Sequence, residues 1–567
     1  IYRAFLWWIT PQRLFYFFAL RIVKRCVVPF IKLGLIIAIK RFVVGEFTVM
    51  NREEKMKPWN RLRYWLMQKL LPGGKLAGVT PLIGTHYELV SIIYRMLGAK
   101  VGERVYWPGS GLEIVEFDLL EVGDDVVFGS RSVVITSSTH ASKKVTFESG
   151  SMIADRCVVL PGVTVKKGAV LGSGSLAPED FILPVGSVWV GSQDGCAVNV
   201  APEDKTYLTK DTVTPFGRAF YQHKASYTVV PLWGIVTYNT LWQAFCTCYR
   251  NCYTPLALII CSRILQFGPF DERSAWEMFQ CTLLAFMPMH LTLAATALTI
   301  DVVGKWVLLG QREQGEYAWD QSSYCQRWQM YLTLQEIRRG ERHKTGILDM
   351  IQGSQYLVWY FRALGASIGH NVCLYPNGGD PMMTEPDLVT IEDFAAVDDA
   401  SLIAHINTRG VFRLNPLFVG TGCVLKSNTR VLSGASMDAH SILLEHTLVM
   451  AGEVVDCGSV WQGWPANQRQ SLTHHRAQVQ DMLGVVSKAY LAVIGGMRSN
   501  YTAEAIRDAT ACDSPSRFPD TSEEGGSRKS NGSSTGGGGG GSGSKEGYDL
   551  AQNLHAHEGQ PLLMHGV

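Results

Sequence analysis

The chain has 567 residues, enough for several domains, and its charged residues nearly cancel to a formal net charge of +2. So small a charge argues against nucleic acid as a partner, because nucleic-acid binding relies on a strong basic excess. Apolar residues make up 47% of the chain, but they are concentrated in separate stretches. The sequence begins at Ile1, inside an apolar stretch and without Met. We therefore expect a longer polypeptide to precede it.

The first stretch, residues 1–50, is apolar and aromatic, with scattered basic residues. Cys26 to Val44 is nearly long enough to cross a bilayer, although Lys32 lies inside it. We predict one span plus an interfacial piece over residues 1–50. Residues 51–78 form a basic linker. A basic excess beside a span marks the cytoplasmic side.

Residues 79–203 contain apolar residues six positions apart. They are Val122, Phe128 and Val134, and then Ile153, Val159, Val165, Leu171 and Ala177. A helix repeats near 3.6 residues and a strand near 2, so neither predicts this period, whereas a hexapeptide β-helix does. We predict a left-handed parallel β-helix. The segment from Tyr87 to Leu97 has helical spacing and is expected to cap the open end of the β-helix.

Residues 225–310 are predicted to be transmembrane helices. The ranges 225–249 and 278–300 contain no Asp, Glu, Lys or Arg and are two strong span candidates, while 251–270 is a doubtful third. An even number of spans places both β-helices on one face. We therefore predict an integral, multi-pass membrane protein with its β-helices on the cytoplasmic side.

After a linker over residues 311–350, the same hexad period returns in residues 351–468, which we predict to be a second left-handed β-helix. Its apolar residues are Ile391, Val397 and Ile403, and then Val419, Leu425, Val431, Met437, Leu443 and Val449. We call each of these two series of apolar residues a ladder. Each ladder is interrupted once, and an interruption predicts a loop that leaves the coil, where functional residues tend to lie. A closing helix is predicted over 469–500 and a disordered tail over 505–567.

The two halves of the chain are duplicates. The pair Lys40 and Gly45 matches the pair Lys305 and Gly310, with the same spacing inside each pair. Further matched positions are Arg95 and Arg362, Glu116 and Glu385, Asp118 and Asp387, and the two Gly-Ser-Val-Trp closing motifs. So many matches at nearly one offset indicate a repeated unit of span, linker, capping helix and β-helix.

These motifs resemble the C-terminal region of membrane-bound non-ribosomal peptide synthetase-like proteins of the ε-poly-lysine synthetase type. The resemblance covers roughly residues 1–500. It implies an upstream adenylation domain that uses ATP and Mg²⁺, and an upstream carrier domain that bears phosphopantetheine. It also implies that the β-helices are condensation or acyltransferase modules serving a small amine or amino acid acceptor. The best-known relatives have three such modules, and this chain shows two.

Amide formation from a thioester needs a base near neutral pH and donors for the developing oxyanion. The second ladder breaks at His405, where the resembled family commonly has a His. Asn407 and Arg409 stand where that family has an acidic-then-Arg stretch, and we take them as substrate-binding candidates. In the first ladder the matching position is Thr136, and His140 follows four residues later as the second catalytic candidate.

Asp118 and Asp387 occupy matching places and are candidates for binding a cationic amine substrate, although solvated loop carboxylates are the alternative. His440 and His446 with His405 roughly resemble the zinc ligands of γ-class carbonic anhydrases. Their six-residue spacing points them in different directions, so we predict no metal site.

The sequence thus predicts the terminal part of a membrane-bound synthetase that transfers a carrier-bound aminoacyl or acyl group to an amine. Three alternatives stay open at this point. They are a coenzyme A-dependent hexapeptide acyltransferase, a non-catalytic membrane scaffold or export module, and a zinc lyase. Self-association into a homo-oligomer is a further alternative.

Overall fold

The computed structural model describes residues 11–471, except positions 77, 85–87, 108–110, 194, 210–212, 264–273, 340–345, 380 and 465. The predicted tail over 505–567 and nearly all of the predicted closing helix over 469–500 lie outside these described residues. The described part forms one unit in which helices and two β-helices are in contact.

The described helices fall into two groups, one before the first β-helix and one between the two β-helices. Those before the first β-helix are α1 (Pro11–Ile22), α2 (Val28–Ile39), α3 (Arg52–Met56), α4 (Pro58–Leu70), α5 (Thr80–Ile83) and α6 (Glu88–Leu97). Those after it are α7 (Pro215–Phe220), α8 (Leu232–Asn251), α9 (Tyr253–Arg263), α10 (Ala275–Leu308), α11 (Tyr324–Leu334) and α12 (Gln355–Ala363). Turns of π-helix at Val23–Val27 and Lys40–Val44 flank α2.

The first β-helix consists of short parallel strands in three sheets. A leading strand, β1 (Met50–Asn51), lies outside the coil. The coil strands of the first sheet are β2 (Lys100–Val101), β3 (Leu120–Val122), β7 (Val145–Phe147), β10 (Thr164–Val165) and β13 (Ile182–Leu183). Those of the second are β4 (Val127–Phe128), β8 (Met152–Ile153), β11 (Val170–Leu171), β14 (Val188–Gln193) and the closing antiparallel β15 (Cys196–Ala201). The third holds β5 (Val133–Val134), β9 (Val158–Val159) and β12 (Leu176–Ala177), while β6 (Ala141–Ser142) leaves the coil.

The second β-helix repeats this plan. Its first sheet is β17 (Ser367–Ile368), β20 (Val389–Ile391), β25 (Leu417–Val419), β28 (Ser436–Met437) and β31 (Val454–Val455). Its second is β18 (Cys373–Leu374), β21 (Ala396–Val397), β26 (Val424–Leu425), β29 (Ile442–Leu443), β32 (Ser459–Gln462) and β33 (Asn467–Ser471). Its third is β19 (Met382–Met383), β22 (Ser401–Ile403), β27 (Arg430–Leu432) and β30 (Leu448–Val449). Outside the coil lie β16 (Gly315–Ala318), β23 (His405–Thr408) and β24 (Val411–Leu414).

The strand register confirms the hexad prediction. Val419 pairs with Met437, and Leu425 pairs with Leu443, so three hexads complete one turn of a three-sided coil. All six ladder residues from Val419 to Val449 are fully buried. The apolar column therefore forms the core of the coil, as its period predicts. The helix predicted to cap the first β-helix is also present, as α6.

Leu443 provides a test of this core. Its side chain is fully buried in the middle of the second coil. Leu443→Ala is expected to destabilise the protein by about 2–5 kcal/mol, because the coil cannot collapse around the cavity. Val454→Ala is the control, since Val454 lies on the outside of the same coil and is largely exposed. Thermal unfolding of both variants checks this, and equal midpoints for the two would contradict the inward assignment.

Each interruption of the ladder forms a hairpin outside the coil. In the second copy β23 and β24 form an antiparallel hairpin, and β16 adds a third strand. In the first copy the interruption is smaller, and β6 pairs with β1. The added strand in each copy comes from the segment just after an apolar helix. The predicted loops are thus confirmed as hairpins.

The membrane prediction holds only in part. Within the described residues, one helical segment, Leu283–Leu308 of α10, is long and apolar enough to cross a membrane. The range 225–249, predicted as a span, forms α8 only from Leu232 and buries polar side chains at Asn239 and Gln243 against other helices. The range 251–270 forms only the short α9 before the undescribed positions. The several spans predicted from apolar runs are therefore not supported.

The two β-helices pack side by side. Trp464 of the second donates its indole N–H to the carbonyl of Ser173 in the first at 3.0 Å. The next residue, Gly174, leaves room for this ring, because a Cβ there would lie 1.8 Å from Trp464 Nε1. Arg430 Nη1 lies 2.5 Å from Asp155 Oδ2, and both side chains are fully buried. The contact between the copies is therefore built from specific residues.

Candidate functional site

A buried ion pair joins each β-helix to the helix that precedes it. Lys40 Nζ lies 2.8 Å from Asp118 Oδ2, and Lys305 Nζ lies 2.8 Å from Asp387 Oδ2. All four side chains are less than one-tenth exposed. The Lys-x4-Gly and Glu-x-Asp-Leu motifs of the duplication thus meet in space as one junction, present twice.

The same aspartates hold the chain that leaves each helix. Gly45 and Gly310 end the helical segments with φ values of 72° and 67°, a backbone conformation that favours glycine. Two residues later the backbone N–H of Phe47 donates to Asp118 Oδ2 at 2.9 Å. In the second copy the N–H of Arg312 donates to Asp387 Oδ2 at 2.7 Å. Each junction therefore fixes the backbone of the residue two positions after its glycine.

In the second copy that residue begins a charged array. Arg312 Nε lies 3.0 Å from Asp387 Oδ1, and Arg312 Nη1 lies 3.8 Å from Glu385 Oε1. His405 Nδ1 lies 2.8 Å from the same Glu385 oxygen. Glu385 directly precedes a short turn at Pro386–Leu388, and His405 is the first residue of β23. The array places a histidine, a carboxylate and a guanidinium in sequence, all of them buried.

The electrostatics define the protonation of this array. Burial by itself raises the pKa of Glu385, but the neighbouring His405 and Arg312 outweigh it and hold that pKa below its ordinary value. An ionised Glu385 accepts a hydrogen bond, so His405 carries its proton on Nδ1. The tautomer set in this way leaves Nε2 as the basic nitrogen. The arrangement is that of a general base oriented by a carboxylate.

Aromatic rings hold the imidazole in place. Phe412 of β24 stacks on His405 with ring centroids 4.6 Å apart, and Trp328 of α11 meets it edge-on at 5.7 Å. His405 is only 2% exposed. On the same side of β23, two residues along, the buried Asn407 Oδ1 accepts no hydrogen bond from the described residues. The imidazole is thus buried and held between two rings, and Asn407 follows it on the same side of the strand.

The first copy lacks the basic groups of this array. Phe47 stands in the place of Arg312, and Thr136 in the place of His405. Glu116 is retained and buried, and it accepts hydrogen bonds from Thr136 at 2.8 Å and from Ser137. Hydroxyl groups therefore satisfy this carboxylate, and the first copy has no counterpart of the histidine base.

The predicted site residues divide between the copies. His405 and Asn407 lie at the array. His140 is exposed at the turn before β6, and within the described residues it forms no ion pair with a carboxylate. Arg409 donates to the carbonyl of Gly168 in the other β-helix at 2.6 Å and lies over the ring of Tyr207. We therefore assign Arg409 to the contact between the copies rather than to substrate binding.

Asp118 and Asp387 require a correction. The sequence predicts that they bind a cationic amine, but lysines of this chain already neutralise them, and both are buried. Cations of the chain itself, Lys40 for Asp118 and Lys305 with Arg312 for Asp387, already satisfy these carboxylates. We reassign both aspartates to the junction.

Sequence reasoning missed Arg312 and Glu385 as members of the site. The signal was available in the duplication, because Phe47 and Arg312 are separated by the same offset as Lys40 and Lys305. An arginine in one copy where the other has a phenylalanine indicates that the two copies differ in function. As for metals, no cluster of three or more His, Cys, Asp or Glu suited to a metal ion occurs among the described residues.

The fold and the site together define a duplicated, three-sided hexapeptide β-helix protein with a histidine–carboxylate pair in one copy. No protein-family model matches the chain. Over 381 residues the chain is 23% identical to delta-poly-L-ornithine synthetase of Acinetobacter baumannii (strain AB307-0294). That alignment covers 66% of this chain and 26% of the relative, so the chain spans about a quarter of the relative's length. The relative agrees in part with the resemblance drawn from the motifs.

Two solved structures are also similar to parts of the chain. One is a hexapeptide-repeat acetyltransferase of Vibrio cholerae O1 biovar eltor in complex with acetyl coenzyme A, with 18% identity, coverage of 21% of this chain and 77% of that one, and a TM-score of 0.18. The other is a variant of the N-acyltransferase AntD of Bacillus cereus in complex with dTDP and coenzyme A. It has 15% identity, coverage of 19% and 62%, and a TM-score of 0.14. Scores this low add nothing to the strand pairing described above, which itself defines the β-helices.

Proposed function

We propose that the second β-helix catalyses the transfer of an aminoacyl or acyl group from a thioester to an amine. The observation that carries this proposal is the buried array of Arg312, Glu385 and His405 at the ladder interruption. The relative is named as a synthetase of poly-ornithine, a polymer whose formation requires amide bonds to an amine. The donor is a thioester of the kind that an upstream carrier domain holds on phosphopantetheine, after an upstream adenylation domain activates the amino acid with ATP and Mg²⁺.

His405 acts in this reaction as the general base. The acceptor nitrogen attacks the thioester carbonyl carbon, and Nε2 of His405 takes the proton that this nitrogen loses. The C–S bond then breaks, and the same proton passes to the leaving sulfur to give a thiol. Glu385 keeps the imidazole in the required tautomer and stabilises its charged form. The amide oxygen of Asn407, which accepts no hydrogen bond from the described residues, would accept one from the acceptor ammonium or amine.

The first β-helix has a structural role in this proposal. Its Glu116 is satisfied by hydroxyl groups and has no histidine beside it. Its Gly168 accepts a hydrogen bond from Arg409, which lies in the turn of the hairpin that carries His405. The first copy thus positions the second and does not itself catalyse transfer.

We also propose that α10 anchors the chain in a membrane. Because the β-helices before and after α10 are in contact, an even number of crossings must separate them. A hairpin in which the α9 segment returns alongside α10 meets this condition, and α9 packs on α10. Both β-helices then lie on one side, which the basic residues after α2 assign to the cytoplasm.

The test supplies the chain, embedded in membranes, with the pantetheine thioester of ornithine and free ornithine. Amide product is measured by mass spectrometry. His405→Gln is expected to reduce the rate of amide formation by about 10²–10⁴-fold, the usual contribution of a general base. Thr136→Val, at the matched position of the first copy, is expected to leave the rate within about threefold, because Thr136 has no part in the chemistry.

Three outcomes would contradict the proposal. No amide from the wild-type chain would exclude transfer from this donor class. An unchanged rate in His405→Gln would favour the non-catalytic scaffold. Acetylated ornithine formed from acetyl coenzyme A, with no product from the aminoacyl thioester, would favour a coenzyme A-dependent acyltransferase.

A further inference from the structure

The helices that cap the two β-helices expose apolar side chains at equivalent positions. Ile92 on α6 is 41% exposed, and Trp359 on α12 is 55% exposed. These two residues are separated by the same offset as the matched Arg95 and Arg362. Tyr356, one turn before Trp359, is exposed as well. Capping helices normally turn their apolar side to the coil and a polar side to water, so two exposed apolar faces at matched positions need an explanation.

Each capping helix is tied at its C-terminal end to an apolar helix. Arg41 Nε donates to the carbonyl of Met96 at 2.7 Å in the first copy. Trp306 Nε1 donates to the carbonyl of Ala363 at 2.8 Å in the second. Arg41 and Trp306 are themselves matched, since each directly follows the lysine of its junction. The duplication has kept this connection although the two donors differ in chemistry.

The residue after each donor is also strongly exposed. Phe42 is 89% exposed and Val307 is 76% exposed, and they are again a matched pair. In the second copy exposed apolar side chains occur on α10, at Leu284, Leu291 and Val307, and on α12, at Trp359. The hydrogen bond from Trp306 to Ala363 joins these two helices, so a single apolar environment suits both.

The connection also fixes the depth of α12. Leu283–Leu308 has the length and composition of a membrane span, so its last turn, with Trp306, falls near the headgroups. Ala363 lies within hydrogen-bond distance of Trp306 and shares that depth. The helix α12 extends only about 14 Å from that point at about 1.5 Å per residue. The whole capping helix is therefore close to the bilayer surface.

We propose that α6 and α12 are interfacial helices. Their exposed faces, formed by Ile92 and by Tyr356 and Trp359, lie at the boundary of headgroups and acyl chains. Both β-helices then stand with their capped ends on the lipid surface. The occupant of these faces is lipid, because Trp and Tyr are the side chains that favour this boundary. In addition, α12 contains no acidic residue, and the exposed Arg41 suits anionic headgroups.

This inference rests on the proposed membrane attachment through α10, so the experiment separates the two. Photoreactive benzoylphenylalanine is incorporated in the full chain at one position at a time, in place of Trp359, Ile92, Leu291 or Val454. Leu291 is exposed on α10, and Val454 is exposed on β31, near the C-terminal end of the second β-helix. Each variant is placed in vesicles of phosphatidylethanolamine and phosphatidylglycerol and irradiated, and adducts are identified by mass.

Lipid adducts at positions 359 and 92 are expected at about tenfold the yield at position 454, with position 291 also labelled, because interfacial side chains contact acyl chains. Labelling at 291 alone would overturn the interfacial helices and leave the membrane span standing. Protein adducts at 359 and 92 would assign these faces to a partner chain or a second copy and overturn the proposal. Absence of lipid adducts at 291 as well would overturn both the span and this inference, as would equal labelling at 454.

Discussion

Glu385→Gln is expected to reduce the rate of amide formation by about 10²–10⁴-fold while the chain stays folded. The carboxylate accepts the Nδ1 proton of His405 at 2.8 Å and so keeps Nε2 basic. A glutamine can instead turn its amide N–H₂ toward Nδ1, and the proton then moves to Nε2. In that tautomer the base cannot accept a proton from the acceptor amine. The size of the effect is that of losing the base itself.

The assay with the ornithine thioester measures this effect, together with a thermal midpoint for each variant. Glu385→Asp is the matched control, because it keeps the charge and moves the carboxylate by one methylene group. We expect Glu385→Asp to retain more activity than Glu385→Gln. Equal rates for the Gln variant and the wild type would show that Glu385 does not orient the base.

Asp387→Asn is expected to destabilise the protein by about 3–5 kcal/mol, the usual effect of removing one partner from a buried ion pair. The substitution leaves Lys305 and Arg312 buried without the carboxylate that lies 2.8 Å and 3.0 Å from them. Burying an unpaired charge is costly, and here Lys305 loses its carboxylate while Arg312 keeps only Glu385, at 3.8 Å. The thermal midpoint of the full chain in detergent measures the loss.

Asp118→Asn is the control for this prediction. Its partner in the first copy is the single cation Lys40, since Phe47 replaces the arginine. The midpoint should therefore fall less in Asp118→Asn than in Asp387→Asn. Adding Lys305→Met to Asp387→Asn should restore part of the stability, because one unpaired charge is then removed. A larger loss in Asp118→Asn would contradict the charge count given for the two junctions.

Much of the fold was predictable from the sequence. The apolar residues from Val419 to Val449 recur at a period that belongs to one architecture, and the strand register follows from it. The interruption at His405 was also visible, because a missing hexad step requires residues to leave the coil. The period shows which side chains point inward, and in a repetitive coil those side chains determine the core and the strand register.

The membrane helices were less predictable, because an apolar segment is suited equally to a lipid bilayer and to a protein core. Residues 225–249 carry no charge, yet α8 turns Asn239, Gln243 and Thr247, at four-residue spacing, toward other parts of the protein. Gln243 accepts from Arg25 and Asn239 accepts from Thr333. That polar stripe was in the sequence and signals a helix buried in protein. The lack of charge alone masked it.

The sequence predicted only those residues of the site that lie at the interruption itself. His405 stands out at an interruption, but its partner Glu385 lies on the preceding turn of the coil, and Arg312 comes earlier still, before the capping helix α12. The role of Asp387 depends on Lys305, which lies on a different element. Such pairs are set by tertiary structure, so spacing along the chain cannot reveal them. The duplication could reveal them, because it preserves both lysines with both aspartates and changes the residues around the base.

The most direct measurement compares the two equivalent glutamates in one assay. The rate of amide formation from the ornithine thioester is determined for Glu116→Gln and Glu385→Gln, each at matched amounts of folded protein. We expect a loss of at least about 100-fold for Glu385→Gln and little change for Glu116→Gln. Equal losses in the two variants, or a loss confined to Glu116→Gln, would contradict the assignment of the chemistry to the second β-helix.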